Sequence, residues 1–148
     1  MISFSTPCII HKNSKELQDF LIDLGYKFGG FDLPYNDKYN DGWLYCCYDQ
    51  FFIVSKKPGR SFNIYKCGGD EEFKAVAAIS NHTDYMQWFL IPHIHGNIIT
   101  YEYFQYKERN DNMSRSIEDL KKTHQHRFTI PIKLSPIDIS DLIFNNDK

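Results

Sequence analysis

The chain has no Cys-x-x-C pair. Its four cysteines, Cys8, Cys46, Cys47 and Cys67, are scattered. Adjacent Cys46 and Cys47 point to opposite faces of a strand and make a poor chelate. Reduced, structural thiols are expected. Long apolar runs are also missing. The longest, Trp88 to Ile94, is interrupted by Pro92 and His93 and falls far short of the ~20 residues of a membrane-spanning helix. The first residues, Met1-Ile2-Ser3-Phe4-Ser5-Thr6-Pro7, lack the basic start and apolar core of a signal peptide. No membrane association and a cytoplasmic location are therefore expected. Charge of one sign is missing too. The 17 Lys and Arg against 19 Asp and Glu leave a net charge of −2, whereas a general DNA-coating protein carries a basic excess. No G-x-S-x-G, Walker A or Rossmann glycine pattern is present. No thiol or hydroxyl stands in a catalytic context beside a base. A non-enzymatic protein without a cofactor is the expectation.

What is abundant is aromatic. Twelve Phe, 10 Tyr and 2 Trp make up 16% of 148 residues, and hydrophobic residues reach 42%. That supply offsets the ordering entropy and excludes a disordered chain. The length fits a single domain.

The pattern along the chain alternates between the two periodicities. Pro7 to His11 reads as a short strand. Asn13-Ser14-Lys15-Glu16 reads as a capping box with Asn13 as the cap. Leu17, Phe20, Leu21 and Leu24 then form one apolar helical stripe, and Gly25 stands where a helix C′ glycine belongs. Tyr26 to Phe28 begins a return strand, and Gly29 to Gly42 reads as an exposed loop. Trp43 to Tyr48 and Phe51 to Ser55 suggest a hairpin. Lys57-Pro58-Gly59-Arg60 suggests a type II turn. Ser61 to Cys67 gives a further strand and Asp70 to Ile79 an acid-capped, alanine-rich helix. Asp84 to Ile91 and Ile98 to Tyr106 read as paired strands about a Gly96-Asn97 turn. Ser116 to Lys122 reads as a short helix, and Arg127 to Leu134 as an edge strand. Ser135-Pro136 opens a last helix. The order β-α-β-β-β-α-β-β-α-β-α implies an α+β domain, with an antiparallel or mixed sheet and three to four short helices.

Two motifs invite chemistry. Gly68-Gly69-Asp70-Glu71-Glu72-Phe73 resembles the Gly-Gly-Asp-Glu-Phe signature of diguanylate cyclases. It carries an extra glutamate, however, and leads into a helix where that signature sits on a hairpin. Two glycines before an acid-capped helix explain it. His93-Ile94-His95 and His124-Gln125-His126 are His-x-His pairs. On a strand each pair places two imidazoles on one face, so His93, His95, His124 and His126 are the candidate metal ligands. Asp84, Glu102 and Asp111 are their candidate partners. Strand-end solvation is the simpler account of both pairs. The aromatics supply the candidate binding residues Tyr35, Tyr39, Trp43, Tyr101 and Tyr103, with Arg60 as a nearby cation. Tyr101 and Tyr103 share one strand face, and Phe104 and Tyr106 share the other. One of these faces must be core. An exposed tyrosine face is an anchor for a protein partner or a stacking platform for a base.

The segment Cys67-Gly68-Gly69-Asp70-Glu71-Glu72-Phe73-Lys74-Ala75-Val76-Ala77-Ala78-Ile79, followed by Asp84-Tyr85-Met86-Gln87-Trp88-Phe89, resembles a family of small proteins of Bacteroidetes phages and mobile elements. Leu24-Gly25-Tyr26 and the closing Ile130 to Phe144 are similar to that family as well. The resemblance carries no activity. It implies context: a phage or mobile-element accessory protein in the cytoplasm of a bacterial host cell.

Three functional readings follow. The first is a non-enzymatic accessory protein that binds a host or phage macromolecule, with a protein as the expected partner, and inhibits host defence. The second is a binder that sequesters a small ligand such as a nucleotide signal through tyrosine stacking and a few basic residues. The third is a metal-dependent hydrolase built on the histidine pairs. A homodimer is compatible with an exposed aromatic strand.

Overall fold

The computed structural model describes residues 4–32, 37–55, 64–107 and 131–145. Its architecture is α+β, with a five-stranded mixed sheet, a three-stranded antiparallel sheet and three helices among the described residues.

The first sheet is built around a split crossover. Strand β1 (Cys8–Ile10) leads through helix α1 (Lys15–Leu24) to β2 (Lys27–Asp32). The hairpin of β3 (Trp43–Cys47) and β4 (Gln50–Val54) then fills the gap between them. Strand β5 (Tyr65–Cys67) adds to the far side of β1, which gives the order β2-β4-β3-β1-β5. Alternation aims Cys8, Ile10, Leu44, Cys46, Phe51, Ile53 and Cys67 at the helices. These residues bury against Leu17, Leu21 and Leu24 of α1 and against Phe73 and Val76 of helix α2 (Asp70–Ala77). The alanines of α2 let it pack inside the domain, between this core and a second one. Ala75 and Ile79 on its other side meet Leu134 and Ile139, the latter on helix α3 (Pro136–Asn145). Strands β6 (Trp88–His95), β7 (Ile98–Gln105) and β8 (Ile132–Lys133) form the second sheet, in the order β7-β6-β8.

Several expectations hold locally. Gly25 takes φ +114° at the end of α1, and its N–H bonds the last carbonyls of the helix. The Gly-Gly-Asp-Glu-Glu-Phe stretch starts α2, with Gly69 extended at its N-cap. Ser135 and Asp138 form a reciprocal cap on α3, with Ser135 Oγ 2.8 Å from Asp138 Oδ2.

Three expectations are corrected. The cap of α1 is Ser14, whose Oγ accepts from Leu17 N at 3.2 Å. Asn13 turns inward instead. Its amide donates to Lys38 O and Asp41 O at 2.7 and 2.8 Å, and its carbonyl accepts from buried Gln18 at 2.8 Å. The loop expected to start at Gly29 is strand as far as Asp32, with a register shift between Phe28 and Gly30. Gly29 serves close packing here rather than a turn, and Gly30 takes φ +124° at the register shift. The strand expected from Asp84 begins at Trp88, because Gln87 folds back and ties residues 78–87 into a loop. The helix expected over 116–122 and the turn over 57–60 lie outside the described residues.

Candidate functional site

The second sheet holds the largest run of exposed apolar residues in the described chain. Strands β6 and β7 pair in unbroken register from Trp88↔Gln105 to His95↔Ile98. The two-residue turn Gly96-Asn97 closes them, with Gly96 at φ +64°, a conformation of low cost for glycine at the first central position of a primed turn. Because side chains alternate, Leu90, Pro92 and Ile94 share one face with Ile99, Tyr101, Tyr103 and, across on β8, Ile132. At the root of this face, Trp88 and Leu90 pack against Ala75, Ile79, Leu134 and Ile139. The face continues outward from this cluster through Pro92 and Ile94 of β6 and Ile99 and Tyr101 of β7. Tyr101 is 55% and Tyr103 47% exposed, and Ile94, Ile99 and Ile132 stand open beside them.

The reverse face differs. Phe89 and Ile91 are buried at its root, and Phe89 packs with Tyr106 and Phe104. Phe104 and Tyr106 thus belong to the packed side and Tyr101 and Tyr103 to the open one. Toward the tip this face carries polar groups beside the exposed Ile98. Nε2 of His93 lies 2.8 Å from Oε2 of Glu102, and His95 is exposed on the same side.

A polar clamp fixes the hairpin to the body. Gln87 is buried. Its Oε1 accepts from Ser80 N at 3.0 Å, and its amide donates to Ala78 O and, at 3.0 Å, to Tyr85 O. Lys133 of β8 donates to Ser80 O and, at 2.9 Å, to Thr83 O, with Asp84 at 3.6 Å. Burial lowers the pKa of Lys133 from its ordinary 10.5, against the pull of Asp84. Backbone bonds continue the clamp, from Met86 N to Tyr106 O at 2.6 Å and from Tyr106 N to Gln87 O at 2.9 Å. These groups saturate one another, which makes them a hinge-stiffening device rather than a reactive site.

The remaining candidates fall elsewhere. Trp43 is half-buried on the first sheet and stacks on His11 at 3.6 Å. Tyr39 lies in the turn that Asn13 and Gln18 hold, with the Lys38 ammonium 5.6 Å from its ring. Trp43 thus belongs to the first sheet and Tyr39 to the turn before β3, while Tyr101 and Tyr103 belong to the second sheet. Tyr35, Arg60, His124 and His126 lie outside the described residues, as does Asp111. Among the described residues no group of three His, Cys, Asp or Glu is placed to hold a metal ion, and His93 is engaged with Glu102.

The cysteines are all free thiols. Cys8 and Cys46 are directly opposed across β1 and β3, and Cys67 lies on the same helix-facing side. Contact with Cys46 and burial push the Cys8 thiol well above its ordinary 9.0, and contact with Cys8 and burial do the same to Cys67. Such thiols are poor nucleophiles and behave as small apolar groups.

Sequence reasoning found the two tyrosines but missed Ile94, Ile99 and Ile132, which complete the face. The signal for the first two lay in the hairpin itself. Counting outward from Gly96-Asn97 pairs Ile94 with Ile99 and Pro92 with Tyr101. Among the described residues no helix is long and apolar enough to cross a membrane. Comparison with known proteins finds no matching family, no matching curated protein and no matching solved structure.

Proposed function

We propose that this chain is a non-enzymatic accessory protein that binds a macromolecular partner through the open face of β6, β7 and β8. The partner class is a protein of the host or of the phage or mobile element, and obstruction of a host defence is the biological effect. The observation that carries this reading is the stripe of Ile94, Ile99, Tyr101, Tyr103 and Ile132 left exposed outside the cluster that buries the root of the face. A contiguous apolar patch held by a rigid hairpin is the usual mark of a protein interface, and tyrosine serves there as a large anchor of low entropy. The face carries no basic side chain among the described residues.

The test is capture on the immobilised full chain from lysates of infected and uninfected bacterial cells, quantified by mass spectrometry. Ile94→Lys combined with Ile132→Lys serves as the comparison. The expected result is one or a few proteins retained at high salt by the native chain and lost by the double variant, since apolar contact is little screened. Equal capture by both chains, or capture that fades with salt, would sink the reading. Native mass spectrometry of the purified chain checks the nucleotide alternative, which requires a reproducible excess mass.

A further inference from the structure

The outer edge of β7 faces no strand among the described residues, and its hydrogen-bonding phase follows from the neighbouring bonds. Gln87 O accepts from Tyr106 N, whereas Trp88 O accepts from Leu134 N. Odd-numbered residues of β6 therefore bond to β7 and even-numbered ones look toward β8. On β7 the even-numbered residues bond to β6, which leaves the N–H and C=O groups of Ile99, Tyr101 and Tyr103 aimed outward. The opposite edge of this sheet is different. Described β8 covers only Phe89 and Leu90, and at the next outward-looking position stands Pro92, which has no N–H to offer. Pro92 thus offers one donor fewer on that side, whereas Ile99, Tyr101 and Tyr103 of β7 each keep an outward N–H.

We infer that the β7 edge pairs with β7 of a second copy of this chain, antiparallel about a two-fold axis at Tyr101. The phase restricts self-pairing to registers in which outward residues oppose outward residues. Centring on Glu102 would place two carboxylates directly opposite each other, which is destabilising. Centring on Tyr101 sets Tyr101 against itself, Ile99 against Tyr103 and Thr100 against Glu102, so no like charges meet. It forms about six backbone hydrogen bonds, two for each of three hydrogen-bonded pairs. The open faces of the two copies then join into one continuous apolar floor. Self-pairing uses backbone groups at the edge, whereas the partner binding proposed above uses side chains on the face, so the two are independent.

The test is sedimentation equilibrium of the full chain from about 1 to about 300 μM, the range suited to a small interface. A reversible dimer is expected. Tyr101→Pro removes an outward N–H together with the phenol ring, so Tyr101→Ala, which keeps the N–H, is its control. Relative to that control, the proline variant should weaken the dimer at least about tenfold. Thr100→Lys, placed opposite Glu102 twice, should tighten it about two- to thirtyfold, and Thr100→Glu should weaken it similarly. A chain that stays monomeric throughout overturns the inference. So does a dimer that Tyr101→Pro weakens no more than Tyr101→Ala does, or one that responds in the same direction to both Thr100 variants. Ile94→Lys and Ile132→Lys lie on β6 and β8, so loss of partner capture with an intact dimer separates the two proposals.

Discussion

The ring of Phe52 occupies the space that a Cβ on Gly29 would need: an added methyl would sit 2.3 Å from its Cε1. Phe52 of β4 lies over the β2 backbone where the register shifts between Phe28 and Gly30. On the face away from the helices it also packs near Tyr45, with ring centroids 6.0 Å apart. A ring flanked in this way has little room to retreat. Gly29→Ala is therefore expected to cost about 1–3 kcal/mol of stability, the range for overpacking. Phe52→Leu in the same chain should recover part of it. Urea unfolding of the two single variants and the double variant measures the coupling. Additive losses would mean that the ring and the glycine do not oppose each other.

Asn13 and Ser14 are neighbours with different tasks. Ser14 caps α1 at the surface, and Ser14→Ala should cost about 1 kcal/mol. Asn13 is buried and shares its amide between Lys38 O, Asp41 O and Gln18. Asn13→Ala removes three hydrogen bonds at once, to Lys38 O, Asp41 O and the Gln18 amide. At about 0.5–1.5 kcal/mol net for each, it should destabilise more than Ser14→Ala. Thermal unfolding of both variants decides this, and equal losses would contradict the bonding assigned to Asn13.

Those two sites show where the fold was legible. The stripe of Leu17, Leu21 and Leu24, the Gly25 stop and the Gly96-Asn97 turn are local devices, and each operates within a few residues of where it is written. Gly29-Gly30 reads as a loop because the purpose of Gly29, room for Phe52, arises only after β2 and β4 pair across 20 or so positions. Asn13 reads as a cap because the carbonyls it serves are distant in sequence. The candidate site was half legible for the same reason. Alternation groups Tyr101 with Tyr103, but which face stays open depends on what the distant residues Ala75, Ile79, Leu134 and Ile139 bury at its root.

Tyr48 holds φ at +56° in the β3–β4 turn and is 76% exposed. Its side chain therefore contributes little packing while its backbone sits in the left-handed region. Relief of that conformation, about 1–2 kcal/mol, exceeds the added unfolded-state freedom of glycine, about 0.4–1 kcal/mol. Tyr48→Gly should raise stability by roughly 0.5–1 kcal/mol on this balance. A lower denaturation midpoint for the variant would show that the ring makes a contribution its exposure does not suggest.

Alkaline pH should weaken the fold through the buried thiols and Tyr26. Contact with Cys46 and burial raise the pKa of Cys8. Contact with Cys8 and burial raise that of Cys67, and burial raises Tyr26, whose hydroxyl donates to Ala77 O at 2.5 Å. The folded chain thus keeps these protons while the unfolded chain releases them, from the ordinary values of 9.0 for cysteine and 10.0 for tyrosine upward. With fewer protons on the unfolded state, stability is fully present below pH about 9 and falls as pH rises beyond it. Lys133 works the other way. Burial lowers its pKa from 10.5, so its contribution improves as pH climbs toward that value. It is one partly exposed group against three buried ones, and the net slope should be downward. Urea midpoints between pH about 7 and about 10.5 measure that slope, which Cys67→Ala should flatten whatever it costs at neutral pH. A stability that holds level across this range would mean that the thiols and Tyr26 titrate in the folded chain as they do in the unfolded one.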